Sequence, residues 1–180
     1  MDFLSRVRLD NNKWSLHNDV FQWLTSLEFH PKVDLFASPC NHKLPKYYVR
    51  FRCPQAFGTD ALTDHWRFHR AYAFPPVPVI LRFLARLRME DVEVLTIAPY
   101  WPNRPWFPLL MLLSFRDPVP LPIRPDLLSQ GATLHPCPAH LHLKAWFLRG
   151  KGWRRKVARV GQFLLSSARK AGTNKVYGRI

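Results

Sequence analysis

The sequence predicts an α/β fold, a small and partly parallel sheet packed with helices, followed by a proline-rich linker and a basic helical arm. Three observations carry this expectation. A helical period gives way to an apolar, strand-like run twice over in the first hundred-odd residues, the pattern of alternating helices and strands that builds a parallel layer. Hydrophobic residues make up 47% of the 180-residue chain, enough for a genuine core. Seventeen prolines against seven glycines then require short elements with many extended or turn segments between them.

The elements follow in order. Residues 1–14 are polar and irregular. Ser15 is placed to cap a helix that carries Val20, Phe21, Leu24 and Leu27 on one side, and Pro31 closes it. Val33 to Ala37 is a short apolar run with Asp34 inside, read as a buried strand whose end opens a loop. In the segment from Leu44 to Arg52, Tyr47, Tyr48, Val49 and Phe51 favour extended chain. A loop or short helix over Asp60 to Arg70 leads to Ala71–Phe74 and the pair Pro75-Pro76. From Val77 to Met89 the period is helical: Ile80, Phe83, Leu84 and Leu87 share one face. Val92 to Ala98 reads as a fully buried strand ended by Pro99, and Trp106 to Phe115 as a helix entered through Pro105. Residues 116–140, with their repeated prolines, read as a linker, and Leu141 to Leu148 as one more strand. Gly150 and Gly152 mark a boundary before a basic amphipathic helix from Trp153 to Lys170.

Charge points to the class of partner. The net charge is +15, and no acidic residue follows Asp126, whereas Lys151, Arg154, Arg155, Lys156, Arg159, Arg169 and Lys170 crowd the last thirty residues. A one-sign segment of this kind neutralises phosphates without reading sequence, so DNA or RNA is the expected partner. The longest apolar stretch, Trp106 to Phe115, is too short to span a bilayer, and no membrane partner is expected. Three cysteines without CxxC spacing fit reduced thiols of the cytoplasm or nucleus.

The runs DLFASPCNHKLPKYY (34–48), DALTDHW (60–66), AYAFPPVPVI (71–80), VLTIAPYWPNRPWFPLL (94–110) and LKAWFLRG (143–150) stand in this order along most of the chain. Together they resemble the region downstream of RNase H in DIRS-type retrotransposons, which integrate with a tyrosine recombinase. The edges fit the same placement. MDFLSR (1–6) resembles the end of an RNase H domain, with Asp2 at the position of its last metal-binding carboxylate and Met1 where that pattern has Ala. SSARKAGTNKVYGRI (166–180) is similar to the start of a recombinase core-binding domain, ahead of any catalytic residue. The resemblance implies a segment of a polyprotein, with RNase H and recombinase domains as its neighbours.

The middle also resembles phage-type adenine-N6 DNA methyltransferases, which implies a methyltransferase-like, Rossmann-related core. That likeness places Asp34, Ala37, Ser38 and Asn41 in an S-adenosylmethionine pocket and Asp60 near the nucleoside part of the cofactor, at strand ends where open α/β sheets bind nucleotides. The catalytic (N/D)PP(Y/F) motif reads Phe74-Pro75-Pro76-Val77 here. Phenylalanine offers no acceptor to an adenine amino group, and valine offers no ring to stack on a flipped base. No catalysis is therefore expected of the chain alone, and no cofactor; an active adenine methyltransferase using S-adenosylmethionine is the alternative.

Other constellations give way to simpler readings. Asp2 by itself neither positions a metal ion nor activates water. His135, Cys137, His140 and His142 match no zinc spacing, and His65 and His69 have no third ligand in view, so no metal is expected. Cys40 lies in no activated-nucleophile signature, and Trp101, Trp106, Phe107 and Phe115 read as core more readily than as base-stacking rings. The expected division is an RNase H remnant over 1–14, an α/β domain over 15–115, a linker with one strand over 116–150, and a basic arm over 151–180.

Overall fold

The computed structural model describes residues 10, 13–151, 162 and 165. Asp2 and the cationic residues Arg154, Arg155, Lys156, Arg159, Arg169 and Lys170 lie outside the described residues.

Ten strands and three α-helices are described: β1 (Ser15–Leu16), α1 (Asn18–Ser26), β2 (Val33–Ala37), β3 (Lys46–Val49), β4 (Gly58–Thr59), β5 (Arg70–Ala73), α2 (Ile80–Leu87), β6 (Glu93–Pro99), α3 (Phe107–Leu113), β7 (Val119–Pro120), β8 (Leu128–Gln130), β9 (Thr133–Leu134) and β10 (Leu143–Arg149). Seven strands form the main sheet in the order β4-β3-β2-β5-β6-β10-β7. The pairs from β4 through β6 are parallel, whereas β10 runs antiparallel to both β6 and β7. Renumbered along the chain, the strands of this sheet lie in the order 3-2-1-4-5-7-6, with the seventh alone reversed. The fold is therefore α/β with a mostly parallel sheet, as the alternation of periods predicts.

Alternation along each strand divides the core into two layers. Val33, Leu35, Ala71, Ala73, Val94, Ala98, Trp146 and Leu148 face α2 and α3, which contribute Ile80, Phe83, Leu84, Leu87, Phe107, Leu110 and Leu113. Tyr72, Leu95, Ile97, Ala145 and Phe147 face the other way, onto Val20, Phe21 and Leu24 of α1 and onto Leu16, Leu121, Leu127 and Leu128. A second sheet, β1-β8-β9, closes that layer.

Two expectations are corrected. Ser15 does not cap α1: it pairs with Ser129 in β1, and the cap is His17, whose Nδ1 accepts from the Asp19 amide at 3.2 Å. Burying Leu16 against the core outweighs the capping preference of a serine. The stretch 116–140 is also no linker. It carries β7, β8 and β9 and buries Leu121, Leu127 and Leu128, so the folded unit continues past residue 115 through β10. Its prolines fall in the edge strand β7 or outside the strands, where a missing N–H costs little. The strand expected over Leu141–Leu148 is present as Leu143–Arg149 and lies inside the sheet.

Candidate functional site at the sheet crossover

The chain runs outward through β2, β3 and β4, then returns to lay β5 against the other side of β2. This reversal opens a crevice at the carboxyl ends of β2 and β5, the position where open α/β sheets hold ligands. Ala37 and Ser38 end the first of these strands, and Ala73 and Phe74 the second. The sequence-predicted residues thus arrive at one end of the sheet, but they do different things there.

A cleft of about 600 Å³ lies beside the loop after β2. Ser38, Cys40, Asn41, His42 and Lys43 form one wall, with Lys13, the run from Ser15 to Asp19, and Ser129 to Gly131 opposite. Of the five residues assigned to a cofactor by resemblance, Ser38 and Asn41 line this cleft, whereas Asp34, Ala37 and Asp60 are not among its lining residues. Asn41 Oδ1 is engaged by the Ser38 amide at 2.6 Å, which closes the loop on itself.

Asp34 lies underneath, 2% exposed. Its two carboxylate oxygens accept from the amides of Phe36 at 3.3 Å and Lys43 at 3.0 Å, tying the start of the loop to its end. Burial pushes this carboxyl up to about 6, against the pull of both amides and of the nearby Lys43 and His42. Asp60, in a left-handed conformation at φ 50°, accepts from the Leu62 amide at 3.2 Å and so braces its own turn. Both carboxylates accept from backbone amides, Asp34 through two oxygens and Asp60 through one. The residues present therefore do not converge as a cofactor site would require: one acid is buried below the cleft, and the other is occupied in a separate turn.

Phe74, Pro75, Pro76 and Val77 line a second hollow of about 320 Å³, together with Trp14, Pro99, Leu128, His135, Leu141 and Leu143. Apolar side chains make up most of the wall, with His135 among them. Phe74 also packs against the core layer beneath α1, so its ring has a structural task that a polar side chain could not perform. His135 meets Trp14 edge-on at 4.8 Å between ring centroids, and burial lowers its pKa. Sequence reasoning placed neither Trp14 nor His135 here, because each reaches the hollow from a segment read as irregular chain.

Among the described residues, no group of three or more His, Cys, Asp or Glu side chains is placed to hold a metal ion. Trp106 and Phe107 are buried in the core, Trp101 is half-buried against it, and Phe115 is partly exposed. Of the cationic residues expected to bind nucleic acid, Lys151 alone is described; it is exposed and follows the last strand. No helix among the described residues is long and apolar enough to cross a membrane.

Fold and crevice together define a Rossmann-related α/β domain. The chain matches no protein-family model and no curated protein sequence.

Proposed function

We propose that the chain is the segment of a DIRS-type retrotransposon polyprotein that joins RNase H to the tyrosine recombinase. In this reading it keeps a methyltransferase-like sheet, has lost methyl-transfer chemistry, and binds nucleic acid through its phosphates. The observation that carries the reading is the state of the crevice. Phe74 and Val77 stand where the motif would supply an amine acceptor and a stacking ring, and they line a hydrocarbon hollow instead. The 3-2-1-4-5-7-6 order supports the methyltransferase-like part, since such a sheet puts that motif and the Ser38 loop at one crossover. The net charge of +15 and the acid-free stretch after Asp126 support the binding part.

The test is a fluorescence-anisotropy titration of the whole chain against labelled DNA and RNA over increasing salt. If Arg154, Arg155, Lys156, Arg159 and Arg169 each neutralise a phosphate, the log–log slope on duplex DNA is about −4.5. Affinity then falls roughly 500-fold between 50 and 200 mM salt. Absent or salt-insensitive binding overturns the reading.

One observation favours a second reading, an S-adenosylmethionine-dependent adenine methyltransferase: the cleft of about 600 Å³ beside Ser38 and Asn41. Against it stand the engagement of Asp34 and Asp60 with backbone amides. A thermal-shift titration with S-adenosylmethionine separates the two readings, with a saturable rise in Tm expected only if the cleft still takes the cofactor.

A further inference from the structure

Between Asp34 and Asp60 the sequence has no acidic residue but holds Lys43, Lys46, Arg50 and Arg52. The fold brings the last three to the outer side of the sheet, around β3 and the loop that leads to the edge strand β4. All three are exposed, and among the described residues none of them has a carboxylate partner. This contrasts with Arg70 and Arg149, which share Glu93, with Arg86 on Glu90, and with Arg124 on Asp126. The two acids nearest in sequence are already committed. Asp60 braces its own turn, and Asp64 accepts from the Tyr48 hydroxyl at 2.9 Å.

Two aromatic rings stand out among these cations. Phe51 is 72% exposed and Phe57 53% exposed, both in the chain between β3 and β4. The Arg50 guanidinium lies 5.2 Å from the Phe51 ring centroid and the Lys46 ammonium 5.4 Å from that of Phe57, so each ring is paired with a cation. The Phe57 amide donates to the Tyr47 carbonyl, which sets Phe57 level with the start of β3, while Phe51 lies just past its end. An exposed ring attached to an unpaired cation suits a polyanion whose π-faces are accessible; duplex bases, stacked on one another, do not offer them.

We propose that Phe51 and Phe57, with Lys46, Arg50 and Arg52, form a stacking platform for single-stranded nucleic acid on the β3–β4 edge. The platform rests on the nucleic-acid-binding reading above and adds to it a preferred form of partner and a second surface, apart from the basic arm. Bases stack on the two rings while the three cations hold the intervening phosphates.

The experiment uses the full 180-residue chain with labelled oligothymidylate and oligouridylate of about 12 nucleotides and a duplex of matching length. The wild-type chain is expected to bind the single strands more tightly than the duplex. Phe51→Ala and Phe57→Ala are each expected to weaken single-strand binding about tenfold, leaving its salt slope and duplex binding unchanged. Arg50→Ala with Arg52→Ala is expected to flatten the single-strand slope by about 1.4. Equal response of the thymidylate and uridylate arms points to stacking alone; a gap between them shows that the sugar is read as well, and both outcomes support the platform. Because Phe57 also meets Tyr48 edge-on, a bromouracil-substituted strand is photocrosslinked to the wild-type chain as a measurement free of variants. Adducts are expected on peptides containing Phe51 or Phe57. Salt-steep binding that the phenylalanine variants leave within about twofold, or adducts confined to residues 151–180, overturns the platform and leaves the broader reading standing. Loss of salt-steep binding by the wild-type chain overturns both.

Discussion

Asp34 holds the crossover loop in place by accepting from the amides at its two ends, and it does so while buried. Its folded-state value of about 6 lies above the unfolded value. Between roughly pH 4 and pH 6 the folded chain therefore binds the extra proton, and this residue's contribution to stability is full at the lower pH and lost as pH rises through 6. A difference of about two pH units corresponds to about 3 kcal/mol. The groups facing it are Tyr72, whose buried hydroxyl has no hydrogen-bond partner among the described residues, together with Lys43 and His42. Asp64 and Asp126 act oppositely: hydrogen bonds from Tyr48 and Arg124 lower their pKa values, so what they contribute is lost in acid. Denaturant unfolding at pH 4.5 and at pH 7 is expected to show Asp34→Asn lacking the decline that Asp34 contributes to the wild-type chain. An identical pH profile in both proteins would mean that the carboxyl is not buried as described. At this scale the sequence was partly legible. Asp34 could be singled out inside an apolar run, but nothing in the run shows whether its carboxylate faces a ligand or the backbone. Phe51 was read as a strand residue, since an exposed ring and a buried one look alike in a one-dimensional pattern; the acid-free interval around it was the signal available.

Among the elements, those with a strong period were legible. Helix α2 buries the four residues that its spacing places on one face, and β6 is buried at every residue after Glu93, as the mainly apolar run predicts. The short strands β1, β7, β8 and β9, two or three residues each, carry too few side chains to display any period and owe their existence to pairing. Their contribution is measurable. Leu128, fully buried in β8, is expected to cost about 2–5 kcal/mol when changed to Ala. A change within about 0.5 kcal/mol would fit a linker instead. Gly150, read from the sequence as a boundary, has a tighter role. A Cβ there would stand 2.0 Å from the Leu87 carbonyl oxygen and 2.2 Å from that of Glu90, both backbone atoms, while its own amide donates to Val92. Gly150→Ala is accordingly expected to destabilise the chain by about 3 kcal/mol or more, read as a lowered denaturation midpoint. A neutral result would show that the end of β10 is not packed against the end of α2.

For the whole molecule, the alternation of helix and strand foretold the fold class, but not the pairing that turns seven strands into one sheet. The decisive strand is β10. It follows a proline-rich stretch, yet it inserts antiparallel between β6 and β7 and completes both core layers with Trp146, Leu148, Ala145 and Phe147. Non-local pairing of this kind leaves no local trace in the sequence, so the division at residue 115 could not be tested by periodicity alone. In the proposed reading, the identities of Phe74 and Val77, which line the hollow beside β5, decide the chemistry wherever the strands lie. The proposed reading rests on the contrast between a methyltransferase-like sheet order and the apolar hollow that Phe74 and Val77 line. Its most direct test is transfer of a labelled methyl group from S-adenosylmethionine to adenine-containing DNA by the purified chain. Incorporation no higher than in a protein-free control is expected, and turnover above that control would contradict the account.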